Sequence, residues 1–279
     1  MLKDSPVDIK EIYNDYALYQ REQNRVERYE GNEEWYHASG AGSCSRKLYF
    51  ESVTQVKATN QIERKSHRIL RLGTILHDDF EKAFKLYNNQ VYNSLVYTTS
   101  NNTSNNTSTN IHSSKKENKN KEKITFHLEG EVRIEELNVR GFYDVVAVKN
   151  DTGVYLYDLK SSASYSWRMK FGRNKANNKP SIHYELQLGT YGYAIQQKFG
   201  RLDGMFLLFY NKDTSQMKQV EIPESFVSRA YLFWKNVNDE HKMGVPMFRK
   251  GVSPVQAWQC KYCQFLDHCN PPNIKELKK

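Results

Sequence analysis

Val139-Arg-Gly-Phe-Tyr-Asp144-Val-Val-Ala-Val148, then Lys149-Asn-Asp-Thr-Gly153, then Val154-Tyr-Leu-Tyr-Asp158-Leu-Lys160 is the stretch on which the fold turns. β-Branched and aromatic residues fill both flanks and Asn150-Asp-Thr-Gly153 is turn chemistry, so the stretch predicts two strands joined by a hairpin. Alternation along the second strand sets Val154, Leu156, Asp158 and Lys160 on one face and Tyr155, Tyr157 and Leu159 on the other. An acid and a lysine thus emerge side by side at the end of a mostly apolar strand, and Asp144 in the preceding strand brings a second carboxylate toward the first. Two carboxylates at one spot repel unless a cation lies between them.

Working outward, Thr125 to Glu135 predicts a further strand, and Gly204 to Tyr210 and Met217 to Ile222 two more. Ile69, Leu72, Leu76, Phe80, Ala83 and Tyr87 recur at three- and four-residue steps, which predicts a helix from Ser66 to Tyr87. Others are expected at Ser181 to Phe199 and from Pro223 onward. Helix, three strands, helix, strand is the order of an α/β core with a central mixed sheet flanked by helices. Upstream, Ile9, Ile12, Tyr13, Tyr16 and Tyr19 give Val7 to Tyr29 an amphipathic helical pattern, and Ser39-Gly-Ala-Gly-Ser43 delivers Cys44 to a short helix over Ser45 to Ser52. Thr98 to Lys123 is built from Asn, Ser, Thr and Lys with nothing to bury, and reads as a disordered insertion whose two Asn-Thr-Ser sites are accidents of composition. The expected division is residues 1–65 as an N-terminal helical region, 66–250 as the core with its insert at about 98–123, and 251–279 as a C-terminal cysteine region.

The chain has 279 residues, 41 Lys plus Arg against 32 Asp plus Glu, a net charge of +9 and a mean hydropathy of -0.80. Its 19 Tyr, 13 Phe and 4 Trp supply bulky groups to bury, which argues against wholesale disorder. The first eight residues hold acids where a signal peptide would need an apolar stretch, and the longest apolar run, Met205 to Tyr210, is too short to cross a bilayer. The expectation is a soluble protein of the cytoplasm of a prokaryote or a phage-infected host, with no membrane partner and a polyanion as its target.

The paired carboxylates suit a hard divalent ion, Mg2+ or Mn2+, which grips phosphate oxygens and lowers the pKa of a bound water. Lys160 would orient that water or neutralise charge on the phosphoryl group, and the chemistry implied is phosphodiester hydrolysis. An isolated Asp-x-Lys is ordinarily a strand-end ion pair. Two helices supply further context. Gly73, His77 and Glu81 share one helix face, so His77 offers a nitrogen ligand that tilts preference toward Mn2+, and Gln187 and Tyr191 share another face from which to orient Lys160. Cys260-Lys-Tyr-Cys263 followed by Cys269 gives C-x2-C-x5-C, which with Cys44 makes a tetrathiolate for a 4Fe-4S cluster or a structural Zn2+; spacing leaves the two open. Between Tyr165 and Pro180 five basic residues alternate with Tyr165, Trp167 and Phe171, the composition of a single-strand groove, and Arg64, Lys65, Arg68 and Arg71 form a second basic cluster ahead of His77.

Leu72-Gly-Thr-Ile-Leu-His77, Gly141-Phe-Tyr-Asp144, Asp158-Leu-Lys160 and Gln187-x-x-x-Tyr191, in that order, resemble the PD-(D/E)XK nuclease superfamily in its RecB-like branch. Cys44-Ser-Arg46 with C-x2-C-x5-C further resembles its iron-sulfur members, the CRISPR-associated and AddB-type exonucleases. The resemblance implies a restriction-endonuclease-like core with an iron-sulfur cap made from both ends of the chain. It implies His77, Asp144, Asp158 and the Leu159 carbonyl as metal ligands, Lys160 as the catalytic lysine with Gln187 and Tyr191 as auxiliaries, and Cys44, Cys260, Cys263 and Cys269 as 4Fe-4S ligands. The activity implied is a metal-dependent DNA exonuclease, preferring single strands, with protein partners in recombination, replication or CRISPR adaptation. The competing expectation is a non-catalytic nucleic-acid-binding protein with a four-cysteine zinc site. An enzyme acting on RNA is a third.

Overall fold

The computed structural model describes residues 8–29, 34–59, 63–88, 124–150, 153–172, 182–244, 246, 259–260 and 262–269. In chain order its elements are α1 (Ile9–Tyr29), β1 (Tyr36–His37), a 3-10 turn at Ala38–Gly40, α2 (Ser45–Leu48) continued by a π-type turn at Tyr49–Val53, and α3 (Arg64–Asn88). There follow β2 (Ile124–Ile134), β3 (Val139–Lys149), β4 (Gly153–Ser162), α4 (Ser164–Phe171), α5 (Ile182–Phe199), β5 (Gly204–Asn211), β6 (Met217–Ile222), α6 (Ser225–Lys242) and the short α7 (Leu266–Cys269). The expected strands and long helices are present with ends shifted by at most two residues, while α4 and β1 carry no clear periodic signal. The low-complexity stretch from Thr98 to Lys123 lies outside the described residues.

The six strands of the described residues join one mixed sheet. β2 runs antiparallel to β3 from Ile124↔Lys149 to Ile134↔Val139 and so occupies one edge of it. The other edge is shared: β4 takes Val145 to Lys149 antiparallel, and β1 takes Val139 and Arg140 in parallel. Between them, on the side of β3 away from β2, residues 141–144 have no strand alongside among the described residues, and β4 continues past Tyr157 paired there only with β5, in parallel, as far as Ser162↔Asn211. The hairpin therefore opens into a fork at Asp144 and Asp158.

Two helical layers cover the sheet. On one face, Phe84 and Tyr87 of α3 meet Phe126 at ring distances of 4.8 and 5.3 Å, and Phe80 meets Tyr210 edge-on. On the other face lies α5, with its centre from Leu186 to Ile195 largely buried, and behind it α6. Trp234 of α6 is fully buried and donates its indole N–H to Thr190 Oγ1 at 2.9 Å, which satisfies the one polar atom of a large apolar ring. Backbone contact between these helices depends on Gly189, since a Cβ there would stand 2.2 Å from the Phe226 carbonyl oxygen. Gly189→Ala is expected to lower stability by about 1 to 3 kcal/mol, read from the midpoint of urea unfolding.

The long N-terminal helix forms, but its buried line is not the expected one. Asn14 and Ala17 are buried, whereas Ile9, Ile12, Tyr13, Tyr16 and Tyr19 are exposed. The reason is that α1 docks on α3 through polar groups: Glu11 pairs with Arg64, Asn14 with Arg68 and Tyr16 with Arg71. No helix among the described residues is long and apolar enough to cross a membrane.

Candidate functional site

Strict alternation breaks at the fork. Phe126, opposite Ala147, packs on α3, while His127, opposite Val146, packs on Phe199 of α5. Yet Tyr143 lies beneath Lys198 of α5, and the missing Cβ of Gly141 points at Tyr191 of α5. Val146 and Tyr143 are three residues apart and face the same helix, so the pleat has slipped by one residue. The slip is marked on β2 by Glu129, a non-glycine with φ of 46° in the interior of a strand, bracketed by the pairs Leu128↔Val145 and Gly130↔Tyr143. A glutamate in that conformation costs about 1 to 3 kcal/mol unless something holds it there. Its neighbour Gly130 is required, because a Cβ would fall 2.2 Å from the Tyr143 ring and hydroxyl.

The consequence is that Glu129 and Asp144 turn together toward α3, where His77 waits one turn beyond Gly73. One ligand atom from each of His77, Glu129 and Asp144 lies within 4.8 Å of the others. His77 Nδ1 is 3.5 Å from Asp144 Oδ1, and the other carboxylate oxygen, Oδ2, accepts the Leu159 backbone N–H at 2.6 Å. That amide is free to reach a side chain because β4 has left β3 at this point.

Asp158 and Lys160 sit on the other branch of the fork. Asp158 is 1% exposed, and its Oδ2 forms an ion pair with Lys160 Nζ at 2.6 Å. Lys160 Nζ donates to Gln187 Oε1 at 3.0 Å, Gln187 Nε2 donates to Tyr191 Oη at 3.4 Å, and the Lys160 ammonium stands 5.0 Å from the centre of the Tyr184 ring. His77, Asp144, Asp158, Leu159, Lys160, Gln187 and Tyr191, singled out in the sequence, thus meet at the fork. Glu129 was missed. The available signal was Gly130, since a glycine inside a strand run marks a bulge or a close approach.

The charges at the fork depend on one another. Burial pushes the Asp158 carboxyl up to about 6, against the pull of Lys160. For Asp144, burial is outweighed by His77, Lys160 and the Leu159 amide, which hold it below the usual carboxylate range. His77 and Lys160 are likewise raised despite burial, by Asp144 and by the two carboxylates respectively.

The first basic stretch departs from its expected role. Arg64, Arg68 and Arg71 lie on the helix face turned away from Gly73, His77, Phe80 and Phe84, by the 100° step of an α-helix, and α1 occupies them. They do not line the fork. In the other stretch Trp167 and Phe171 pack on each other at 4.8 Å and Phe171 on Phe209, so these rings serve the core; Arg173, Lys175 and Lys179 lie outside the described residues. Lys170 shares the Tyr184 ring with Lys160, 5.1 Å from its centre.

The four cysteines come together at one end. Gln259 bonds the Gly42 carbonyl, Thr59 N–H bonds the Gln264 carbonyl at 3.0 Å, the His268 ring is 3.0 Å from the Lys57 carbonyl, and Phe50 packs against Phe265. These contacts set Cys44, at the start of α2, beside Cys260, Cys263 and Cys269. Cys44 acts electrostatically on each of the other three thiols, and Cys260 and Cys263 both act on Cys269. Burial raises Cys260 and Cys263, and pushes Cys269 up to about 11 despite the nearby Arg46.

No curated protein sequence matches the chain. Among solved structures, SSO0001 is similar with a TM-score of 0.52 and 15% identity, over 93% of this chain and 96% of that one. The alkaline exonuclease LHK-Exo from Laribacter hongkongensis gives a TM-score of 0.40 and 12% identity over 78% of this chain and 92% of its own. The family model of the PD-(D/E)XK nuclease superfamily matches residues 37–270, a span that takes in β2 to β6, the whole fork and the four cysteines. On that match the chain belongs to the PD-(D/E)XK nuclease superfamily.

Proposed function

We propose that this protein is a divalent-metal-dependent deoxyribonuclease, an exonuclease of single-stranded DNA in the RecB-like branch, with a 4Fe-4S cluster held by Cys44, Cys260, Cys263 and Cys269. The observation that carries the reading is the convergence of His77, Asp144 and Asp158 with Lys160 at one fork in the sheet. The fit to a cation rests on chemistry: Asp158 is a buried carboxylate, Asp144 stands nearby with an imidazole, and hard oxygens plus one nitrogen suit Mg2+ or Mn2+. His77, Asp144, Asp158 and the Leu159 carbonyl would hold the ion. When bound, it supplies Lewis acidity toward a phosphate oxygen and lowers the pKa of a coordinated water.

The rest is the work of the chain. Lys160 enters the fork as a cation, since two carboxylates raise its pKa, and Gln187 and Asp158 fix its Nζ so that little reorganisation is needed when charge develops on the phosphoryl oxygens. Tyr191 restrains Gln187, and the Tyr184 ring closes one side of the ammonium. To hold the ion, His77 would have to be neutral.

Single-strand preference and attack from ends follow the resemblance to the four-cysteine exonucleases. The choice of a cluster over zinc at the cysteine site follows the same resemblance.

Labelled single-stranded DNA incubated with Mg2+ or Mn2+, with and without EDTA, tests the reading. Shortened products that EDTA prevents are expected. A strand that is shifted but stays whole would favour the non-catalytic binder. Acid should act through Asp158: its pKa, about 6 when folded against 3.8 unfolded, means that its ionised form is disfavoured by the fold. The metal-free protein should lose stability from this group as pH rises through about 6, and Mn2+ affinity should fall about tenfold per unit below that point, as protons compete for the ligand. Calorimetric titration across that range measures it.

A further inference from the structure

We propose that Glu129 is a metal ligand of this protein, joining His77 and Asp144 around the divalent ion on the α3 side of the fork. The inference rests on the reading that the fork binds such an ion, and adds to it an acid that none of the quoted motifs contains.

Three observations lead there. First, one ligand atom each from Glu129, His77 and Asp144 lies within 4.8 Å of the others, a spread that one cation can bridge, and the set mixes an imidazole with two carboxylates. Second, the grouping exists because the pleat slips. A regular β2 would send Glu129 to the α5 side with His127, away from His77; its left-handed φ of 46° returns it to the α3 side with Asp144. Third, the slip is matched on both strands, so that Glu129 and Asp144 arrive as a pair, and two facing carboxylates favour a cation between them. A glycine would adopt this backbone more readily than a glutamate, so the side chain has a use that offsets the conformation. Asp158 lies outside this grouping and against Lys160. Glu129 thus supplies a second carboxylate on the His77 side, where the known motif order supplies only Asp144.

Mn2+ binding to the full chain without DNA tests this, followed by the electron paramagnetic resonance signal of free Mn2+ for wild type, Glu129→Gln, Glu129→Gly and Asp144→Asn. Thermal melts of each metal-free protein accompany the titrations. Glu129→Gln and Glu129→Gly are expected to weaken Mn2+ binding at least tenfold, while their metal-free melting temperatures equal or exceed wild type, because glycine relieves the left-handed residue and either change removes a like charge beside Asp144. Retained folding with lost affinity is something a purely structural glutamate would not give. Wild-type affinity in Glu129→Gln, with affinity lost in Asp144→Asn, overturns this inference and leaves the nuclease reading standing. Wild-type affinity in Asp144→Asn, or no Mn2+ binding by the wild type, overturns both.

Discussion

Lys160→Ala is expected to slow phosphodiester cleavage by about three orders of magnitude while Mn2+ still binds. That is the loss of about 4 kcal/mol of transition-state stabilisation, the scale of removing one preorganised positive donor from a site where water is scarce. The ammonium is preorganised here because Asp158, Gln187 and the Tyr184 ring surround it at 2.6, 3.0 and 5.0 Å. Its removal also leaves Asp158 buried without a counter-charge, and breaking such a pair in a rigid interior costs about 3 to 5 kcal/mol. Asp158 has an escape, since burial already raises it to about 6 and it can take up a proton. The variant should therefore fold best in mild acid and lose stability as pH rises, and Lys160→Met, which keeps the aliphatic stem, separates packing from charge. Single-turnover digestion of labelled single-stranded DNA, with Mn2+ titrations alongside, measures both. A variant that cleaves at the wild-type rate removes Lys160 from the reaction.

Cys263→Ser has the second large effect, on the fold. Cys44 and the Cys260 to Cys269 segment are more than two hundred residues apart, so the proposed ligation would tie a very long loop. By loop-closure entropy such a tie contributes about 5 kcal/mol, and its loss lowers the melting temperature of a domain of this size by about 10 to 20 °C. The variant should also lack the iron and brown colour that the proposed cluster would give the wild type. The sheet and α5 keep their own core, so circular dichroism should still show the α/β signature below the transition. Stoichiometric zinc in a colourless, fully stable wild type would put the four thiols to a different use.

Much of this architecture was legible in the residues. β3, β4, α3 and α5 have strong periods, and the pairing of Val146 with Leu156 follows from the Asn150-Asp-Thr-Gly153 turn. Fixed spacing on regular elements also carried His77, Asp158, Lys160, Gln187 and Tyr191, because a helix face or strand face can be counted. Asp144 was found, but for an incomplete reason. Simple alternation aims it at the α5 side, and it reaches His77 only through the slip. Glu129 was hidden for the same cause, since its direction depends on one left-handed residue that no period encodes. The basic row Arg64, Arg68, Arg71 misled in the opposite way. Its charge and its nearness to His77 in sequence were plain, but which helix face meets the sheet was decided by Phe80 and Phe84, and the far face went to α1.

The parting of β3 and β4 gives the Leu159 amide an unusual guardian. Most protons in a sheet exchange with deuterium only when a ladder opens, whereas this one is tethered by a carboxylate oxygen of Asp144. Its exchange lifetime thus reports how that oxygen is engaged, and deuterium uptake at a single backbone position can register events at the fork with no substrate present.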